Sequence, residues 1–278
     1  MKLKVYILLL GGMFLLAGCS DFLDVVPKDK QTAEQLYSTK AGFYTAVNGI
    51  YNRLSSEDLY GGKMSWEAID IMSKRYETTK AKLYFKDLSN NDYSSTYVAG
   101  ALSIIWQKSY ELILAANLLI EQVDNQRGIL SETEANLMKG EMLAVRAFLH
   151  LDMFRLFGPR WDNNPDALSI PYNESTKVTT LPLLPFSTIM EKIIRNAEAL
   201  LVDDPVIING PMASEVEGES VQLRFRQFRF NYYAVIALKA RAYLWGGDKV
   251  NALVEAKRLL EDPKVKEYFP AVDPNKLL

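Results

Sequence analysis

The 278-residue sequence predicts an all-α protein of tetratricopeptide-like helical hairpins with long irregular loops. Three observations carry that expectation. Apolar residues recur at intervals of three, four and seven over several long segments, which places them on one side of a helix. Start and stop signals flank these segments: Ser131-x-x-Glu134, Thr188-x-x-Glu191 and Asn231 open helices, and Gly158-Pro159 and Pro263 close them. No β-rich block is present, and residues 231–263 carry the spacing of a helical-hairpin repeat.

Residues 1–18 stand apart from that pattern. Lys2 and Lys4 precede an apolar run over 5–16, broken only by Gly11 and Gly12, and the small pair Ala17-Gly18 follows. A basic start, a short apolar stretch and small residues describe a secretory signal peptide. The run is too short to span a bilayer, which takes about 20 apolar residues. Leu16-Ala17-Gly18-Cys19 resembles the bacterial lipobox, whose cysteine becomes the first residue of the mature protein and carries lipid. One acyl chain anchors only marginally, so such cysteines bear more than one. An ordinary signal peptide ending at a chance cysteine is the other reading. Position, neighbours and the uniqueness of this thiol favour lipidation of Cys19. A lone thiol spent on lipid is neither nucleophile, ligand nor disulfide partner.

Residues 19–31, with Pro27 and several charges, form a tether, and residues 32–278 the helical domain. A helical pattern begins at Thr32 and runs to 56, with Leu36, Phe43, Val47 and Ile50 on one stripe. Residues 57–95 mix Gly, Ser, Asn and Tyr without a period and read as loops with short helical turns. Residues 96–123 are apolar over much of their circumference, as a buried helix is. A short link then makes residues 131–157 an antiparallel neighbour. Five prolines mark 159–186 as an extended loop, and a third long helix reaches about 201, with Ile189, Ile193, Ala197 and Leu200 aligned. The last pair, 231–248 and 249–262, carries Ala240, Tyr243, Gly247-Asp248, Ala252, Ala256 and Pro263 at repeat spacing. Small residues there let two helices approach closely around a Gly-Asp turn, and each such pair leaves an apolar face for a neighbour to cover.

Counting removes several chemistries. The whole chain carries 32 basic and 34 acidic residues; without Lys2 and Lys4 the balance is 30 against 34, or −4. A mildly acidic chain without a basic run gives no footprint for nucleic acid. One cysteine and one histidine exclude Cys/His metal sites. His150 lies mid-helix, where a satisfied, partly buried histidine is expected. Asp162-x-Asn164-x-Asp166 starts like a calcium loop, but Ala167 replaces the required glycine, Pro165 interrupts it and Asn173 stands where a glutamate belongs. A polar turn accounts for it better. Acidic residues fall mostly on solvent faces, so no carboxylate pair is singled out for glycoside hydrolysis. Arg224 to Phe230, RFRQFRF, reads as a loop packing down before the Asn231 cap. No cofactor is called for. Tyr60, Trp66, Tyr76, Tyr84, Tyr93 and Trp161 fall in loops. Sugar rings stack their C–H faces on such aromatics, and Trp66, Tyr76, Tyr84 and Trp161 are the candidate ligand residues.

The landmarks CSDFLDVVPKDKQT, WQKSYELILAANLLIE, GEMLAVRAFLHLDMFRLFG and ALKARAYLWGGDKVNALVEAKRLL resemble, in order, those of SusD/RagB-family outer-membrane lipoproteins. The most specific is Gly140-Glu141…Arg146-Ala147-Phe148…Arg155-Leu156-Phe157-Gly158. The resemblance implies a non-enzymatic, surface-exposed lipoprotein of the outer membrane, lipidated at Cys19. It implies a partner, a SusC-like TonB-dependent transporter, and an oligosaccharide or peptide ligand passed inward. An envelope scaffold binding protein only is the other function left open. Family members run to about twice this length, so the resemblance also implies that the C-terminal half is missing. A truncated or split reading frame and a shortened variant both fit.

Overall fold

The computed structural model describes residues 32–126, 128–160, 164, 166–194, 197–210, 225–273 and 275. The chain divides into two units, Met1–Leu36 and Tyr37–Leu278. In the first, the described residues form one helical turn, α1 (Ala33–Leu36), with the Thr32 hydroxyl accepting the Gln35 N–H at 3.2 Å. The signal-like segment, the tether and Cys19 lie outside the described residues.

The second unit opens with α2 (Lys40–Leu54). The sequence pattern reads as one helix from Thr32, but Thr39 restarts it: its hydroxyl accepts the Gly42 N–H at 3.1 Å, and only Phe43, Val47 and Ile50 of the expected stripe lie buried on α2. Two short helices follow, α3 (Ala68–Met72) and α4 (Leu83–Ser89), in the region expected to be loops with helical turns. They pack Ala68, Ile71 and Leu88 against Val98 of the long helix α5 (Thr96–Asn125). After a short link comes α6 (Glu132–Phe157), opened by the full Ser131/Glu134 capping box and ending at Gly158. α6 is buried almost all round, because α5, α7 and the segments between them wrap it.

The proline-bearing segment is not wholly irregular. β1 (Leu168–Pro171) pairs antiparallel with β2 (Leu183–Pro185), Leu168 opposite Pro185 and Pro171 opposite Leu183. The prolines stand at strand ends, where a missing N–H removes no ladder bond from a sheet interior. Helix α7 (Phe186–Ile194) starts directly after Pro185, two residues before Thr188, and Glu198–Leu200 is a separate 3-10 turn. The single long helix expected there is therefore shorter, yet Ile189, Ile193 and Ala197 are buried as aligned, with Leu201 in place of Leu200. A short α8 (Val206–Asn209) and a 3-10 turn (Arg226–Phe228) lead to α9 (Tyr232–Trp245), whose Asn231 side chain caps Ala234 N–H at 2.9 Å. Then come α10 (Lys249–Leu260) and α11 (Pro263–Tyr268).

An apolar cluster joins α5, α6, β1, α7 and α9. Ile105 of α5, Leu151 and Phe154 of α6, Ile170 of β1, Phe186 and Ile189 of α7, and Leu238 and Ala242 of α9 meet there. The α9–α10 hairpin turns at Gly247, whose φ of +79° only glycine adopts freely, and Asp248 caps α10 through the Asn251 N–H at 3.0 Å. Ala242 and Ala252 are buried between the two helices. α10 is apolar on its other side as well: Val250, Leu253, Val254 and Leu260 are 52–74 % exposed. A helix apolar on both sides is ordinarily covered on both. Among the described residues no helix is long and apolar enough to cross a membrane.

Candidate functional site

The site is built on the loop between α2 and α3. Residues 55–67 coil tightly, with the Gly62 carbonyl accepting the N–H groups of Ser65, Trp66 and Glu67 at 3.0, 3.1 and 3.3 Å. Only glycine fits at 61 and 62. A Cβ at Gly61 would stand 2.1 Å from the Ser55 carbonyl oxygen, and one at Gly62 2.4 Å from that of Glu57. The Trp66 indole N–H donates to the Gly61 carbonyl at 3.2 Å, while 56 % of the residue stays exposed. Its one polar atom is satisfied, so the side chain offers an apolar ring held in a fixed place.

The other candidates separate. Tyr76 stands 49 % exposed between α3 and α4. Tyr84 is half-buried: its hydroxyl donates to Glu67 Oε1 at 2.8 Å and its ring lies against Phe85, 5.0 Å between centroids. Burial and the Glu67 carboxylate push its hydroxyl pKa up. Tyr84 thus braces the residue next to Trp66. Tyr60 is no exposed loop aromatic either. It is largely buried, its hydroxyl donates to Asp152 Oδ2 at 2.9 Å and its ring packs on Phe148 at 4.8 Å. Tyr93 is exposed at the approach to α5, and Tyr97, absent from the sequence reading, is exposed on the first turn of that helix. Its signal was its place off the Val98, Ala101, Ile105 stripe. Trp161 and Asp162 lie outside the described residues. Beside them Asn164 Oδ1 accepts the Asp166 N–H at 2.9 Å, as in a polar turn.

Three polar clusters lie on α6, and one of them, at Asp152, meets the loop through Tyr60. Glu141 is buried against Arg226, which also grips Asp204 with Nε and Nη2 at 3.0 and 2.8 Å. Asp152 accepts Tyr60, Arg155 at 2.9 Å and Arg241. His150 is fully buried. Its Nε2 accepts the Asn173 N–H at 3.0 Å, so Nδ1 carries the proton and donates to the Arg146 carbonyl at 2.8 Å. Its ring stacks on Tyr172 at 3.8 Å. Burial, with the Arg146 and Lys192 charges, holds its pKa at about 3. Asn117 completes the clasp, donating to the Asn173 and Ser175 carbonyls and accepting from Arg146 at 3.0 Å. The expectation that acids lie on solvent faces is thus corrected at Glu134, Glu141, Asp152, Asp204 and Glu255. Each is buried because a cation or tyrosine meets it. Among the described residues no His/Cys/Asp/Glu group could hold a metal.

Stacked helical hairpins carrying a rigid, aromatic-bearing loop define a repeat-type scaffold that displays a surface. Residues 21–206 match the SusD-like family model described as "Starch-binding associating with outer membrane", and the chain belongs to that family. It is 24 % identical over 207 residues to SusD-like protein P2 of Formosa agariphila, covering 71 % of this chain and 37 % of that one. SusD-like protein P25 of the same organism is 24 % identical over 161 residues, 55 % of this chain and 29 % of that one. Among solved structures, a SusD superfamily protein from Bacteroides vulgatus superposes with a TM-score of 0.63 at 22 % identity, over 84 % of this chain and 49 % of that one. A SusD-like carbohydrate binding protein from the same species gives 0.59 at 20 % identity, over 80 % and 45 %. The chain therefore spans about a third of the length of these curated relatives and half that of the solved structures.

Proposed function

We propose that this protein is a surface lipoprotein, anchored through Cys19 to the outer membrane, that binds oligosaccharide and delivers it to a SusC-like TonB-dependent transporter. The observation that carries the reading is Trp66: an exposed indole whose N–H is already satisfied, on a loop that glycine contacts make rigid. Sugar C–H faces stack on such a ring, and pre-ordering lowers the entropy lost on binding. Tyr76 offers a second exposed ring, Tyr84 braces Glu67 beside Trp66, and Trp161 is kept as a candidate from the sequence alone. The reading is binding without turnover. Its support is that the buried carboxylates Glu141, Asp152 and Asp204 are each committed to arginines, leaving them no part as a free acid–base pair. In the source bacterium Cys19→Ala is expected to release the protein from the membrane and abolish glycan import, and the wild type to co-purify with a barrel protein. Full import by the unanchored variant contradicts the reading. A second reading, a scaffold binding protein only, draws on the exposed outer face of α10; it predicts no affinity for any glycan.

A further inference from the structure

Beside residues 54–60 lies a cavity, open to solvent, of about 680 Å³, inside the ~300–1,000 Å³ range of small-ligand sites. Tyr51 from α2, Tyr60 from the loop, Phe148 from α6 and Phe228 and Phe230 around the 3-10 turn line it. These rings brace one another, with Tyr60–Phe148 at 4.8 Å and Phe148–Phe230 at 5.3 Å between centroids. The tyrosine hydroxyls are engaged: Tyr51 accepts the Phe230 N–H at 2.8 Å, and Tyr60 donates to Asp152. The walls therefore present ring faces. One polar atom in the lining is unsatisfied, the buried Oε1 of Gln227. A buried acceptor without a partner is costly, and Gln227 is one of the residues that line the cavity. Phe228, also in the lining, is 76 % exposed.

We infer that this cavity is a second sugar subsite, taking one pyranose ring of a bound oligosaccharide. The inference rests on the carbohydrate reading above. A pyranose supplies both things the cavity lacks: an apolar C–H face for the rings and a hydroxyl donor for Gln227. The same loop serves both places: the Trp66 indole N–H is tied to the Gly61 carbonyl, and the preceding residue, Tyr60, lines the cavity.

The test is calorimetric titration with maltoheptaose, xylohexaose and mannohexaose, together with hydrogen exchange of the free and saturated protein. Phe228→Ser removes an exposed side chain, and Gln227→Leu removes the acceptor at nearly constant volume. With the sugar that binds, each is expected to weaken affinity about tenfold, the size of one lost hydrogen bond or stacking contact. Bound sugar is expected to slow exchange in residues 226–230 as well as 60–67. Wild-type affinity in both variants, with no protection of 226–230, overturns the second subsite and leaves the Trp66 reading standing. No binding of any of the three sugars by the wild type overturns both.

Discussion

His150 shows how a lone titratable group is kept out of chemistry. Its two nitrogens are used by backbone partners that fix one neutral tautomer, and burial keeps its pKa near 3. The unfolded chain binds its proton near pH 6.5, so below that pH unfolding takes up a proton that the folded state refuses. This histidine alone lowers stability by about 1.4 kcal/mol per pH unit from about pH 6.5 toward 3, and contributes no slope above 6.5. Urea titrations across pH 4–7 are expected to show that extra slope in the wild type and not in His150→Gln; parallel curves contradict the assignment. The sequence already placed His150 as a satisfied mid-helix residue. It could not place Tyr60 and Tyr84, because a tyrosine in a loop reads the same whether its hydroxyl meets water or a buried carboxylate. Trp66 and Tyr76 were legible as exposed rings because neither lies on an apolar stripe.

At the scale of elements, the loop of residues 55–67 depends on two glycines whose Cβ positions are occupied by backbone oxygens. Gly61→Ala is expected to destabilise the protein by about 1–3 kcal/mol, as overpacking does, and to weaken glycan affinity with Trp66 itself intact. A thermal melt and a titration check both; wild-type behaviour in each contradicts the rigid-loop account. The α6 cap is a simpler case, and Ser131→Ala is expected to cost about 1 kcal/mol in urea unfolding. The long helices α5 and α6 and the Ser131 and Asn231 caps could be read from the chain, since periodicity and capping residues act locally, whereas Thr188 opens no helix because α7 already starts at Phe186. The β1–β2 pair could not, because prolines at strand ends resemble those of an open loop. Nor could the 3-10 turn at Glu198–Leu200, since the apolar spacing continues through it.

For the whole molecule, the ion cluster Glu141–Arg226–Asp204 ties α6 to the turn before α9 across long sequence separations. Glu141→Ala takes one of two carboxylates from the buried Arg226, which keeps Asp204, and is expected to cost about 1.5–3 kcal/mol, the size of a charge-assisted hydrogen bond, read as a lowered urea midpoint; a loss below about 1 kcal/mol contradicts the cluster's role. The exposed side of α10 behaves oppositely. Val254→Glu is expected to change stability by no more than about 0.5 kcal/mol and to reduce binding of a hydrophobic dye. Hairpin stacking was legible because Gly247-Asp248 and the small residues impose it, and the α10 hairpin's uncovered face follows from that same repeat logic. The pairing of Glu141 with Arg226 was not, because contacts 85 residues apart leave no local pattern.

The most direct measurement is a calorimetric titration of the mature chain and of Trp66→Ala with the same set of oligosaccharides. The account predicts saturable binding of at least one, recovery of that sugar uncleaved, and an affinity at least tenfold weaker in the variant with its melting temperature unchanged. Silence from every sugar, or equal affinity in the two proteins, contradicts it.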